Sequence, residues 1–346
     1  MKPCNCCCFP FERIMLEGDG EVSFCCQSNN YSYVLGNIFS DSFEDLWYGE
    51  KAINFRKSIL DGSYRYCNLD VCGDFCPWNC FDANGKDKEK LLYPPYPKYV
   101  NISYVSSCNV RCMTCRDKLC LERPEDTEQF DKITDKVIDL CCNAKTVYLD
   151  GSGELFTSNH LKKMVHKLVD KYPNLKFHIH TNGLLCDEQH IKEFGLEGRI
   201  LSLNISIHSA TKKTYETIVR GGHWEQLIQN LEYIKSLNIK EVYFIFVLHS
   251  LNYKEMPAFA KMAKKYNAKA KFWRFRNWET SQMCREIDRY SCWESWHPDY
   301  KNFIKVLSKL KRVGNYILAE PFYENFKLAQ RIPLLIKLLI FLIKNS

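Results

Sequence analysis

From residue 98 onward the chain alternates between two hydrophobic periods. Runs rich in β-branched and aromatic residues read as strands at 98–105 ("KYVNISYV"), 145–150 ("KTVYLD"), 176–181 ("KFHIHT"), 200–208 ("ILSLNISIH"), 241–249 ("EVYFIFVLH") and 269–275 ("KAKFWRF"). Between them, stretches such as "TEQFDKITDKVIDLCC" and "GHWEQLIQNLEYIKSLN" place apolar residues at helical spacing. Six β/α units in series predict a parallel sheet with right-handed crossovers. With no switch point and no nucleotide-type glycine loop in view, the sheet is expected to curve into a barrel or part of one. In such folds functional groups collect at the carboxyl ends of the strands.

The first part of the chain is organised differently. "FERIMLE" and "EVSFCC" flank "GDG", and Asp19-Gly20 is a hairpin signal because glycine takes positive φ without cost. A helix is expected over "SDSFEDLWYGEKAINFRKSILDG", with a Ser42/Asp45 capping box and Gly62 as its stop. The proline-rich "LLYPPYPKY" then reads as a linker. This division predicts a small cysteine-rich α+β domain over 1–90, a linker at 91–97, a barrel over 98–280 and a helical region with an apolar tail over 281–346.

Composition narrows the class. Hydrophobic residues make up 46% and charged residues 26% of 346, which fits a globular protein and excludes wholesale disorder. A net charge of +7 over this length does not by itself indicate a nucleic-acid binder. The 19 cysteines are the outlier. The N-terminal stretch, broken by Asn5, Pro10 and charges, has no apolar signal core, so the expected compartment is the cytoplasm. In a reducing compartment, dense cysteines point to metal ligands rather than disulfides. Zinc and iron–sulfur clusters are the two candidates.

One cysteine group sits at a strand end. "SCNVRCMTCR" follows the first strand of the series and spaces Cys108, Cys112 and Cys115 by four and three positions. Three thiolates can hold three irons of a 4Fe–4S cluster and leave the fourth iron open to a small ligand. The alternative is a zinc site completed by Cys120 or a distant histidine. His178, His180 and His208 lie on strand patterns and read as hydrogen-bonded wall residues. Cys120, Cys141, Cys142 and Cys186 read as small hydrophobes.

The ordered set of strand-end motifs resembles the radical S-adenosylmethionine (SAM) superfamily, whose C-x3-C-x2-C hallmark is matched by Cys108, Cys112 and Cys115. "GSGE" (Gly151, Ser152, Gly153, Glu154) is similar to the motif that contacts the amino group of SAM. "HTNG" places Thr181 and Asn182 at the third strand end, and Ser206 and Arg220 match positions for the ribose or carboxylate. The resemblance departs at Thr114, where relatives usually carry an aromatic residue against the adenine. It implies a partial (β/α)6 TIM-like barrel of parallel strands binding a 4Fe–4S cluster and SAM. It also implies reductive cleavage of SAM to methionine and a 5′-deoxyadenosyl radical, and hydrogen abstraction from a substrate. An external electron donor such as flavodoxin or ferredoxin is implied as a partner. The substrate is left as a peptide or protein, or a small molecule to be dehydrogenated or rearranged, and no general base or hydrogen donor is named.

Residues 1–80 resemble the twitch or SPASM type of auxiliary iron–sulfur domain, through "DGEVSFCC", "LGNIFSDSFEDLW" and "YCNLDVC". The resemblance implies one auxiliary 4Fe–4S cluster on Cys7, Cys25, Cys67 and Cys72, with Cys6, Cys8, Cys76 and Cys80 as spares. At the far end, "RIPLLIKLLIFLIKNS" is too short an apolar run to span a bilayer. Its basic flanks make a peripheral membrane contact an expectation beside simple packing on the fold. The competing class is a non-enzymatic zinc-binding interaction protein, directed to nucleic acid by its positive charge.

Overall fold

The computed structural model describes residues 6–25, 33–67, 80, 81, 83, 85–150, 152–276 and 281–318. The architecture is α/β, with a mostly parallel sheet, and the cysteine-rich segment lies at its N-terminal side. Two compact units divide the chain: Met1–Asn109, Cys120–Thr181 and Leu185–Leu203 form the first, and Val110–Leu119, Asn182–Leu184 and Asn204–Ser346 the second.

In the first unit the expected hairpin forms. Strands Arg13–Leu16 and Glu21–Ser23 pair antiparallel around a short turn, and Gly36–Asn37 adds to the second. The sequence did not reveal what this hairpin does next. Arg13–Leu16 pairs in parallel with Tyr99–Ile102, the first strand of the β/α series, which then pairs with Thr146–Leu149 and that with Lys176–Thr181. The N-terminal module therefore continues the sheet instead of standing apart from it.

The long N-terminal helix is two helices, Phe43–Tyr48 and Glu50–Leu60. Ser42 caps the first by accepting from the Asp45 backbone amide, and its Oγ also donates to the Asp45 carboxylate at 2.7 Å, a side-chain bond in place of the reciprocal backbone bond of a full capping box. The break falls at Gly49, where a Cβ would lie 2.1 Å from the Asp45 carbonyl oxygen. Buried Arg56 locks this module. Its Nε donates to the Pro10 carbonyl at 2.8 Å, and its Nη1 to the Trp47 and Leu92 carbonyls at 2.6 and 3.1 Å. Its guanidinium lies 4.5 Å from the Trp47 ring centre, and burial pushes its pKa down to about 9. Trp47 and Tyr48 both donate to the Pro94 carbonyl, so the proline-rich segment is tied down.

Strand alternation sorts the chemistry of the first unit's sheet. Ile14, Val100, Val147, Phe177 and Ile179 on one face are fully buried. The register puts Met15, Asn101, Tyr148 and His178 in one row of the other face, joined two residues away along their strands by Arg13 and Asp150. One face is thus apolar core and the other is polar and partly open.

The second unit carries the later strands. Ile200–Ser206 runs into it, the backbone amides of Ile207 and His208 donate to the Ile245 carbonyl, and Glu241–Leu248 pairs in parallel with Lys269–Arg274. An additional parallel strand, Tyr316–Leu318, follows the helix Tyr300–Val313. No helix among the described residues is long and apolar enough to cross a membrane. The apolar tail after residue 318 lies outside the described residues.

Candidate functional site

Cys108 stands where the first strand of the series gives way to loop. Its backbone amide donates to the Cys120 carbonyl at 2.7 Å in an isolated antiparallel bridge, which gives Cys120 a position beside Cys108 rather than in the core. The same loop is pinned from its other side. The Glu154 amide donates to the Ser107 carbonyl at 2.7 Å, and the Ser107 and Thr157 hydroxyls are 2.9 Å apart. Gly153 has no room for a side chain, because a Cβ would fall 2.5 Å from the Ser107 carbonyl oxygen and 2.7 Å from that of Val105. The glycine of "GSGE" is therefore a close-approach glycine, and the segment feeding Cys108 is locked onto the segment that carries Glu154.

Glu154 is buried, and Thr181 Oγ1 donates to its Oε1 at 2.7 Å. This bond joins the ends of the second and third strands. Ser152 is exposed, and Gly151 lies outside the described residues. Glu122 was not singled out from sequence. It accepts from the Ser158 hydroxyl at 2.6 Å and the Asn159 amide at 2.7 Å, anchoring the stretch after Cys120 to the start of the helix Asn159–Lys171. Buried His160 bridges the Tyr104 hydroxyl at 2.8 Å and Asp131 at 2.9 Å beneath it.

In the second unit, Arg111–Cys112 pairs antiparallel with Val219–Arg220, which sets Arg220 opposite Arg111 and Val219 opposite Cys112. Cys115 and Arg116 turn back on the Cys112 carbonyl at 2.9 and 3.0 Å, and Arg116 Nε donates to Cys115 Sγ at 3.4 Å. That donor suits a sulfur that carries negative charge when it ligates a metal. Thr114, at the departure from the aromatic pattern, is buried. Asn182 Oδ1 accepts from the Leu184 amide at 2.9 Å, and Asn230 Nδ2 donates to the Gly183 and Leu184 carbonyls. Gly183 takes φ of 83°, so "HTNG" is a fixed turn. Ser206 ends its strand half-buried. Glu255, also unmarked in the sequence, fixes the next loop by accepting from the Ala210 amide at 2.6 Å and the Thr211 hydroxyl at 2.8 Å.

The histidines of the strand patterns behave as wall residues. His178 Nδ1 bonds the Ser202 hydroxyl, and His208 Nδ1 accepts from the Val247 amide at 3.1 Å. Cys141 and Cys186 are buried, and burial pushes both thiols up. Cys142 departs from the small-hydrophobe expectation: it follows the last turn of its helix and is exposed. In the N-terminal module Cys7, Cys25 and Cys67 are half-buried, while Cys72 and Cys76 lie outside the described residues. Cys6–Cys7 pairs antiparallel with Cys80–Phe81, with Cys7 opposite Cys80. Among the described residues, no group of three or more His, Cys, Asp or Glu side chains stands ready to hold a single metal ion.

Comparison with known proteins decides the family. Residues 102–263 match the radical SAM superfamily, and residues 6–77 match the iron–sulfur cluster-binding SPASM domain. The chain carries a radical SAM domain preceded by a SPASM domain. A radical SAM domain takes a 4Fe–4S cluster with SAM, and a SPASM domain takes auxiliary iron–sulfur clusters. The residues present fit these groups, with cysteines at the matched positions and a loop at Gly153 that a Cβ would obstruct. Among curated proteins, the chain is 26% identical over 196 residues to GTP 3',8-cyclase of Chlorobaculum tepidum, covering 54% of this chain and 56% of that one. It is 26% identical over 177 residues to the FeMo cofactor biosynthesis protein NifB of Methanocaldococcus infernus, covering 47% and 54%. The chain thus spans about half the length of the curated relatives it matches. A solved structure described as native anSMEcpe with bound AdoMet aligns over 62% of this chain and 60% of that one, at 17% identity and a TM-score of 0.43.

Proposed function

We propose that this radical SAM protein reductively cleaves SAM and uses the product radical on a substrate carbon. The observation that carries this reading is the docking of Ser107, next to Cys108, onto Gly153 and Glu154. When bound, the cluster and SAM supply the hard chemistry: one electron splits the sulfonium S–C bond into methionine and a 5′-deoxyadenosyl radical, which takes a hydrogen atom from the substrate.

The residues have distinct tasks in this reading. Cys108, Cys112 and Cys115 hold three irons and leave the fourth open. Glu154 accepts from the SAM amino group, with Thr181 fixing its rotamer through the 2.7 Å bond. Ser152, Gly153 and, outside the described residues, Gly151 complete that loop. Arg220 and Ser206 take the carboxylate and ribose, and Asn182 shapes the turn beside them. The auxiliary cluster is held by Cys7, Cys25, Cys67 and Cys72, and either accepts an electron from the substrate radical or binds the substrate. The substrate is a peptide or protein, or a small molecule that is dehydrogenated or rearranged. A flavodoxin or ferredoxin supplies the electron, in the cytoplasm, with the apolar tail as a membrane-surface contact. Iron and sulfide analysis after anaerobic reconstitution tests the cofactor content. About eight iron atoms per chain are expected for two 4Fe–4S clusters, and zinc without iron contradicts the reading.

A further inference from the structure

The polar face of the first unit's sheet contains a group of side chains that the SAM and cluster assignments do not use. Arg13, on the strand brought in by the N-terminal module, holds its guanidinium 4.3 Å from the Phe9 ring centre and 4.8 Å from that of Tyr148. Two rings fix its position, yet its buried Nε has no acceptor. On the neighbouring strand, Asn101 is 4% exposed. Its Nδ2 donates to both carboxylate oxygens of Asp150, at 3.2 and 3.4 Å, which orients its Oδ1 away from them, and that Oδ1 is buried without a donor. Asp150 directly follows the second strand of the series, immediately before "GSGE", and is half-buried. It feels the Arg13 charge without being ion-paired to it. The other ionisable groups of the cluster are Tyr99, on the strand of Asn101, and Tyr148, on its own strand, with His178 packed on Tyr148 at 4.8 Å.

A buried donor without an acceptor and a buried acceptor without a donor are each costly, and two in one cluster call for a missing partner. The chemical complement must accept from Arg13 and donate towards Asn101 and Asp150. A group with a carbonyl and an N–H side by side does both, as an amide or a lactam does. We propose that Arg13, Asn101 and Asp150 form a substrate subsite that seats an amide or lactam group, its carbonyl on Arg13 Nε and its N–H on Asn101 Oδ1 or the Asp150 carboxyl. The chemistry is shared by a peptide group and a purine lactam. The subsite deepens the radical SAM reading and rests on it, because its place beside the "GSGE" loop is what would present the bound group to the radical. Burial pushes the Asp150 carboxyl up to about 6, so the subsite also changes its hydrogen-bonding character near neutral pH.

Calorimetry on the anaerobically reconstituted full chain tests this with three probes: N-acetylglycinamide, inosine, and purine riboside, which lacks the lactam. The expected result is saturable binding of N-acetylglycinamide, or of inosine in preference to purine riboside. The first outcome identifies a peptide source and the second a purine source. Arg13→Gln and Asp150→Ala should weaken that binding about tenfold or more. Arg13→Lys keeps the charge but removes the Nε donor, so it should weaken binding as well, with thermal melting to show that the fold survives. Absence of saturable binding for both amide probes, equal binding of inosine and purine riboside without N-acetylglycinamide binding, or binding unchanged in the variants would overturn the subsite. Formation of 5′-deoxyadenosine by the unsubstituted chain, measured without any probe, reports separately on the radical SAM reading.

Discussion

Thr181 Oγ1 donates to Glu154 Oε1 at 2.7 Å, with both side chains buried. One carboxylate oxygen is thereby held in place. Hydrogen bonds to charged groups contribute about 1.5–3 kcal/mol. Thr181→Val keeps the volume but removes the bond, so SAM affinity should fall about tenfold or more by equilibrium dialysis, while the iron content stays intact. Unchanged affinity would separate Glu154 from SAM binding.

Gly153 makes a sharper demand, since its would-be Cβ meets backbone and not a movable side chain. Gly153→Ala must push the 105–107 segment away from the Glu154 loop. The variant should lose SAM binding and load less iron at the Cys108 cluster, as read from absorbance and iron analysis after reconstitution. Gly18, with open space around it and no positive φ, serves as the control for alanine substitution at a glycine.

Arg56 tests the N-terminal module. Arg56→Met fills similar volume but leaves the Pro10, Trp47 and Leu92 carbonyls without their donor. Leaving buried acceptors unpaired costs about 1–3 kcal/mol each, so the melting temperature should fall by several degrees. Because the same module carries Cys7, Cys25 and Cys67, auxiliary iron incorporation should fall with it.

Two buried groups give opposite pH dependences. The Asp150 carboxyl is raised from 3.8 to about 6 by burial. Its contribution is fully present below about pH 4 and lost as pH rises through about 6. Asp150→Asn should therefore gain in melting temperature over the unsubstituted chain as pH rises through that window. Burial, with His208 nearby, pushes His249 down from 6.5 to about 3, so its contribution is present above pH 6.5 and lost as pH falls towards 3. His249→Gln should flatten the acid limb of the stability profile, and an unchanged limb would show that His249 is not the group responsible.

Much of this was legible in the sequence because strand period and motif order are local properties. The six strands of the β/α series, the hairpin before Cys25 and the Ser42 cap follow from spacing alone. What was not legible depends on partners distant in the chain. The parallel pairing of Arg13–Leu16 with Tyr99–Ile102 joins segments more than eighty residues apart, and no turn signal announces it. The single helix expected over 40–62 breaks at Gly49, whose backbone lies so close to the Asp45 carbonyl that no Cβ would fit. Nothing in the local sequence marks Glu122 or Glu255, and only the fold shows the amides and hydroxyls they collect. Within the site, the resemblance pointed to Glu154 and Thr181 separately, whereas their bond to each other needed the structure.

The central claim is most directly tested by anaerobic reconstitution with iron and sulfide, followed by dithionite and SAM, with 5′-deoxyadenosine as the measured product. The unsubstituted chain should form it, and a chain with Cys108→Ala, Cys112→Ala and Cys115→Ala should not. No product from the unsubstituted chain, or undiminished product from the triple variant, would contradict the account.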